Sequence, residues 1–403
     1  NQYSNTGMDL GRYYVTAASG KTLDFFYPDP YGQPTSPSAT VYSGDINLID
    51  KNYKFPQVLK SNIAIDKKLP FGFTGTLEFV YTKNIKEVKF QNINLQAIGT
   101  TSILGGRTLY GTPSTSSSPS TGSASYKNKE FRDVILLSNT NKGYQYSISA
   151  QIQREWKDGS MINASYTYGE AKDLNSATSS RAISNWGYNI ITNDPNEPEL
   201  AYSNYDTRHR IFIAISKAFE FFNNAPTIFS VVYNGRSGHP YSTRYYNDVN
   251  GDGQANDSIY VPVSADEQIL TKGTWDDLNT YIERDPNLRK YRGKILPRNA
   301  SVDKWYNQLD LKLAQKLPLP YSKNHKLEIA LTLNNFFNLL KKDWGVYRYI
   351  NFDDSPLTYK GIDKATGKPI LEFWGKTTSK DARYVINQVL SRWRMLLGVH
   401  YSF

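Results

Sequence analysis

Hydrophobic and polar residues alternate through the C-terminal segment RWRMLLGVHYSF. Trp393, Met395, Leu397, Val399, Tyr401 and Phe403 share one parity. Arg392, Arg394, Gly398, His400 and Ser402 take the other, with Leu396 the one apolar exception. Side chains two apart point the same way from a strand, so this pattern predicts one apolar and one polar face. The pattern recurs upstream. Leu327, Ile329, Leu331 and Leu333 oppose Lys326, Glu328, Ala330 and Thr332. Trp305, Leu309, Leu311, Leu313 and Leu317 oppose Gln308, Asp310, Lys312 and Lys316. Tyr144, Tyr146, Ile148, Ala150 and Ile152 oppose Gln145, Ser147, Ser149, Gln151 and Gln153, and Ile162, Ala164, Tyr166 and Tyr168 oppose Asn163, Ser165 and Thr167.

Strands are expected near 56–69, 73–96, 144–156, 160–172, 207–219, 226–242, 304–317, 324–340 and 390–403. The gaps between them are then about 3, 47, 3, 34, 6, 61, 6 and 49 residues, short and long in strict turn. The short gaps carry turn chemistry: Lys157-Asp158-Gly159, Asn223-Asn224-Ala225-Pro226, and the stretch from Pro318 to Asn324. Loops as long as the others are uncommon in compact soluble domains. Outer-membrane barrels, by contrast, pair short periplasmic turns with long extracellular loops. If the last strand runs toward the periplasm, every short gap falls on that side. The fold expected is therefore all-β, a transmembrane antiparallel β-barrel. A soluble sheet with one face on a core would also alternate, but several strands here run to about 12 residues against a soluble mean of about 5–6. Aromatics also gather near strand ends, at Trp156, Trp305, Trp393, Tyr401 and Phe403, as interfacial girdles do.

Composition narrows the partners. No stretch approaches the ~20 apolar residues of a membrane helix, but barrel strands put only every second residue in lipid. The net charge is +10. Its lysines and arginines are dispersed, so a solvated or lumenal charge is expected and nucleic acid is not. Cysteine is absent, which excludes disulfides, thiolate metal sites and a cysteine nucleophile.

Nine strands is an odd number, and an open edge in hydrocarbon leaves backbone groups unpaired. Single-chain bacterial barrels have even strand counts. We therefore expect residues 56–403 to be the C-terminal strands of a larger barrel, with the earlier strands, signal peptide and plug upstream. Residues 1–55 are expected to be mainly an extracellular loop, in which GRYYVTAASG has room for one strand. A small nine- or ten-stranded barrel is the alternative.

Four stretches carry a resemblance. They are NTNKGYQYSISAQIQREWKDGSMINASYTYGEAKD (139–173), SSRAISNWGY (179–188) followed by YDTRHRIFIAISKAF (205–219), VVYNGRSGHPYS (231–242) with DVNGDGQANDSIYVP (248–262), and RDPNLRKYRGKILPRNASVDKWYNQLDLKLAQ (284–315). In this order the chain resembles the C-terminal barrel of Bacteroidota TonB-dependent outer-membrane receptors, of the Oar-like branch with a carboxypeptidase-regulatory-like domain. The resemblance implies a 22-stranded barrel, a plug, and active nutrient uptake powered through the TonB complex by an upstream segment. A binding or scaffold barrel that docks a surface lipoprotein is the second reading.

Candidate chemistry is sparse. Asp248-Val-Asn250-Gly-Asp252-Gly253-Gln254-Ala-Asn256-Asp257 matches the opening of a Ca²⁺ loop, in which a glycine permits the tight turn that gathers oxygens. Position twelve is Ile259, so the bidentate acid is missing, and Asp257 would have to substitute. The expected ligands are Asp248, Asn250, Asp252 and Asn256 by side chain, Gln254 by carbonyl, and Asp257. Arg208 and Arg210 follow a long loop and are candidates for lipopolysaccharide phosphate at the outer rim. The four histidines fall in separate elements, which argues against zinc. No G-x-S-x-G motif occurs, and no enzyme is expected. TPSTSSSPSTGSAS (112–125) reads as an exposed loop, and Asp276 to Arg289 as a short helix. Trp393, Tyr401 and terminal Phe403 are expected to serve as girdle and membrane-insertion signal. Deleting Tyr401 to Phe403 is expected to lower assembly into the outer membrane, scored by heat-modifiable mobility of membrane fractions; normal assembly of the truncated protein would contradict this.

Overall fold

The computed structural model describes residues 12–13, 29, 31, 41–42, 46–116, 122–222, 225–318, 325–375 and 383–402. Eleven strands organise it: β1 (Ile46–Ile49), β2 (Gln57–Lys68), β3 (Thr74–Asn92), β4 (Val134–Thr140), β5 (Tyr144–Glu155), β6 (Met161–Asp173), β7 (His209–Phe222), β8 (Ala225–Arg236), β9 (Tyr306–Pro318), β10 (Lys326–Asn334) and β11 (Arg394–Ser402). From β5 to β11 each strand pairs antiparallel with its successor. β5 pairs with β3 at the other end, and β3 with β2. The nine long staves expected from the alternation are therefore present, in chain order. The short connections lie at one end of the wall and the long ones at the other. The wall is not closed: among the described residues β2 and β11 are free edges, and β1, paired parallel with β4 alone, ends the sheet as well.

The register fixes which side each residue faces. Ile65, Leu77, Ala150, Tyr166 and Ile211 are successive cross-strand partners. So are Leu397, Leu331, Leu313 and Phe229. Partners directly across a ladder share a face, so the apolar parity of every stave joins one continuous outer belt. That belt is bare: Leu397 is 74%, Ile65 62% and Leu313 47% exposed. The opposite face is polar and hydrogen-bonded across strands. Ser149 Oγ and Thr167 Oγ1 lie 2.9 Å apart, and Gln151 Nε2 donates to Asn163 Oδ1 at 3.1 Å. Lys312 Nζ meets Glu328 Oε1 at 3.2 Å.

The dry interior lies elsewhere. The larger buried cluster draws wholly on the long connections, including Leu104, Tyr245, Ile259, Leu278, Leu357 and Leu371. A four-stranded sheet supports it, built from Thr243–Tyr245, Asp354–Ile362, Pro369–Phe373 and Ile269–Lys272. The loops thus form a folded cap on one end of a wall that, among the described residues, has no comparable core.

Two expectations need correction. The alternation assigns Val134–Thr140 to a loop, yet β4 continues β5 along the same edge of β3. Ile135 pairs with Asn92, Thr140 with Glu87, Tyr144 with Lys83 and Gln153 with Thr74, one register across the break at 141–143. The stave runs 19 residues, well beyond the ~9–11 that cross a membrane. Its upper half stands in the cap, where Val88 and Phe90 turn the inward face apolar and pack on Ile135, Leu137 and Trp186. Secondly, the helix expected over Asp276–Arg289 is two, Trp275–Arg284 and Pro286–Lys290. Pro286 has no N–H to continue the first helix and starts the second, where the Asp285 side chain caps the Asn287 N–H at 2.9 Å. Within GRYYVTAASG, Arg12–Tyr13 form a two-residue strand paired with Val41–Tyr42; the other residues of that stretch lie outside the described ones. Two of the expected turns, at 223–224 and 319–324, also lie outside them.

Ala150 and Gln151 are neighbours on β5 that face opposite ways. Ala150→Arg is expected to destabilise the protein in vesicles by about 2–4 kcal/mol and Gln151→Arg by much less. Equal costs in urea titrations would contradict the assignment of faces.

Candidate functional site

The polar face and the cap above it are where chemistry can occur. Buried charges that the sequence pattern does not mark hold the cap together. Arg107, from the loop after β3, is 2% exposed. Its guanidinium meets Asp257 Oδ1 at 3.2 Å, donates to the Thr192 carbonyl at 3.3 Å and to the Ser258 carbonyl, and lies over the Tyr245 ring. One side chain therefore ties three connections together. Arg383, from the last connection, donates to Asp354 Oδ2 and Asp285 Oδ2, both at 3.2 Å, among the rings of Tyr241, Tyr281 and Tyr384. Asn247 reaches the Ser114 and Tyr359 carbonyls at 2.5 and 2.8 Å. Nothing in the local sequence around Arg107, Arg383 or Asn247 sets these anchors apart from other polar loop residues.

The acidic loop sits deep in the same cap. Asp248, Asn250, Asp252 and Asp257 are wholly buried, and Asn256 is nearly so. Asp248 Oδ1 accepts from Gly251 N at 2.6 Å, and its Oδ2 from Gly122 N and Gly253 N at 2.8 and 2.9 Å. Asp252 Oδ1 accepts from Gln254 N at 2.8 Å. Asp257 Oδ2 accepts from Val249 N at 2.8 Å. Gly251 and Gly253 hold φ of 73° and 87°, the left-handed region that favours glycine. Desolvation, with the Asp257 charge second, pushes the Asp248 carboxyl up to about 7. Burial and the charges of Asp248 and Asp257 drive Asp252 well above the carboxylate range. Burial raises Asp257 against the pull of Arg107.

The motif's residues are therefore together, but mostly on one another's amides. Among the described residues no group of three or more His, Asp or Glu side chains stands where it could hold a metal ion. An ion would draw on the amide and carbonyl oxygens of Asn250, Gln254 and Asn256 as much as on carboxylates. One such oxygen is orphaned: among the described residues Asn256 Oδ1 has no hydrogen-bond partner, while its nitrogen donates to the Asn189 carbonyl at 3.1 Å.

The other candidates separate. Arg210 pairs with Thr167 and Arg236 on the inward parity, and its Nε donates to Asn234 Oδ1 at 3.3 Å. Arg208 lies over the Tyr202 ring and donates to Asp206 Oδ2 at 3.1 Å. The outward position between them is His209, whose Nδ1 is 2.7 Å from Tyr166 Oη. A lipid headgroup outside the wall thus meets His209 and two tyrosines rather than Arg210. Trp393 and Tyr401 sit at opposite ends of β11 on the outer face. Tyr401 contacts His325, and Phe403 lies outside the described residues.

A sheet greasy outside, polar inside and roofed at one end by its own loops defines the class: a transmembrane β-barrel, crossing the membrane with strands. The particular assignment follows from comparison. A family model described as an outer membrane beta barrel domain matches residues 2–341, and the chain belongs to that family. It is a multi-pass protein of the outer membrane. No curated protein matches the chain.

The sign of the pH dependence follows from the raised carboxyl. Asp248 favours the fold fully below an ordinary pKa of 3.8 and loses that contribution as pH rises toward about 7. Hydrogen exchange at the amides of Gly251 and Gly253, corrected for intrinsic rate, is expected to show less protection at pH 8 than at pH 5. Greater protection at pH 8 would contradict this.

Proposed function

We propose that the protein is a TonB-dependent receptor that actively takes up a nutrient of the carbohydrate or peptide class. Its polar face forms part of the conducting wall and the cap is the capture surface. The observation that carries this reading is a cross-strand ladder of hydroxyl, amide and charged groups leading away from a cap with its own core. The likeness of 139–315 to receptor barrels supports it. Energy would arrive from the TonB complex through a segment upstream of these residues. A docking role for a surface lipoprotein is favoured by the solvent-facing rings of Tyr188, Tyr205 and Phe352, the last 88% exposed at φ 61°. Cells lacking the gene should lose growth on at least one nutrient, and uptake in wild type should stop when a protonophore collapses the inner-membrane gradient. Uptake that survives the protonophore would replace the reading with a passive pore. Intact growth together with a co-purifying lipoprotein would replace it with a scaffold.

We propose further that Ca²⁺ joins the acidic loop, through Asp248, Asn250, Asp252, Gln254, Asn256 and Asp257. The repulsion among buried carboxylates and the orphaned Asn256 oxygen support this. Millimolar Ca²⁺ should raise exchange protection in 248–257 at pH 8; unchanged protection would exclude it.

A further inference from the structure

The outer face carries a second built feature, at the cap end of β8 and β9. Tyr233 and Asn307 share the outward parity of Leu309 and Leu311. Tyr233 Oη donates to Asn307 Oδ1 at 2.6 Å, and Trp305 Nε1 donates to the same oxygen at 2.8 Å. Phe337 packs edge-on against both Tyr233 and Trp344. These four rings enclose an open cavity of about 440 Å³ that Asp343 and Arg348 also line. It faces away from the polar interior, at the level where the belt of aliphatic side chains ends.

The cavity is preformed. A Cβ at position 235 would lie 2.4 Å from Tyr233 Oη, so only glycine there lets the phenol lie along the strand to Asn307. Buried Asn335 sets the segment that carries Phe337 and Trp344. Its N–H donates to Asp310 Oδ1 at 2.7 Å, and its amide to the Gly345 and Ser391 carbonyls at 2.9 and 3.1 Å. Asn338 Nδ2 holds the Lys342 and Trp344 carbonyls at 3.0 and 3.1 Å.

We propose that this cavity binds the phosphorylated sugar headgroup of an outer-leaflet glycolipid. Aromatic faces suit the C–H faces of a pyranose, while hydroxyls need polar partners at the ring edge, which Asn307 and Asp343 supply. With its oxygen taken by Tyr233 and Trp305, Asn307 turns its amide nitrogen, among the described residues, to such a hydroxyl. An acyl chain would need none of these groups. Two cations supply charge complementarity to a phosphate on the sugar: Arg348 lines the cavity, and Lys341 lies 5.7 Å from the centre of the Trp344 ring. Trp344 and Trp305, 50% and 39% exposed, sit where such a headgroup meets protein. The site is independent of what the barrel transports.

The test is native mass spectrometry of the protein released from nanodiscs containing a phosphorylated glucosamine glycolipid or, separately, phosphatidylglycerol. Wild type should retain the glycolipid and not phosphatidylglycerol. Trp344→Ala should cut retention about tenfold, and Leu313→Ala, on the same face in mid-belt, should leave it unchanged. If the Trp344 variant does not assemble, Asn307→Leu must give the same loss. A glycolipid stripped of phosphate should bind several-fold more weakly. Equal retention by the Trp344 or Asn307 variant, equal retention of phosphatidylglycerol, or indifference to the phosphate would each overturn the proposal.

Discussion

Hydrocarbon offers no partner to a peptide N–H or C=O, and that deficit dictates this structure. A strand meets it by pairing along its length. Once paired, its side chains have only two directions to point. The outward set must then be apolar whatever its sequence, and the inward set is free to be polar. This is why residues such as Leu397 and Ile65 sit bare on the protein surface while Ser149, Thr167, Gln151 and Asn163 bond one another on the other side. A water-soluble sheet would reverse that distribution.

The same constraint explains where the buried hydrophobic cluster went. Staves that give one face to lipid and one to water cannot bury much against each other. The connections beyond the membrane obey ordinary rules, and they gather Leu104, Tyr245, Leu278 and Leu357 into a conventional interior. Their fixed points are charges out of water. A buried ion pair such as Arg107–Asp257 contributes little net stability, because desolvation offsets attraction, but losing one partner leaves the other stranded. That asymmetry makes such pairs effective in specifying which loop meets which. Arg383, between Asp285 and Asp354, does the same for the last connection.

The membrane part was legible because its signal is local. Period two, turn residues and gap lengths are all visible within a few dozen residues, and they place nine staves and their direction. The cap was not, since its contacts join residues far apart: Arg107 to Asp257, Asn247 to Tyr359, Arg383 to Asp285. Val134 to Leu137 was lost for a related reason. Apolar residues on both faces erase the alternation, and both faces are apolar there because that half of the stave stands in the cap. At the acidic loop, spacing showed which residues would gather. It did not show that Asp257 answers to Arg107, or that Asp248 is held by the amides of Gly122, Gly251 and Gly253. For Arg208 and Arg210 the composition was read and the parity was not. The register turns Arg210 inward, whereas the lipid side of the rim carries Tyr233, Trp305 and Trp344, of which the sequence pattern marks only Trp305 as a girdle residue.

The fold rests on which way alternate residues look, and a chain without cysteine lets this be measured without background. Single cysteines at each position from 327 to 333, carrying a small fluorophore in reconstituted vesicles, can be quenched by brominated acyl chains or by aqueous iodide. Acyl-chain quenching at 327, 329, 331 and 333, and iodide quenching at 328, 330 and 332, is the predicted result. Odd positions shielded from both quenchers, as in a dry protein interior, would contradict it.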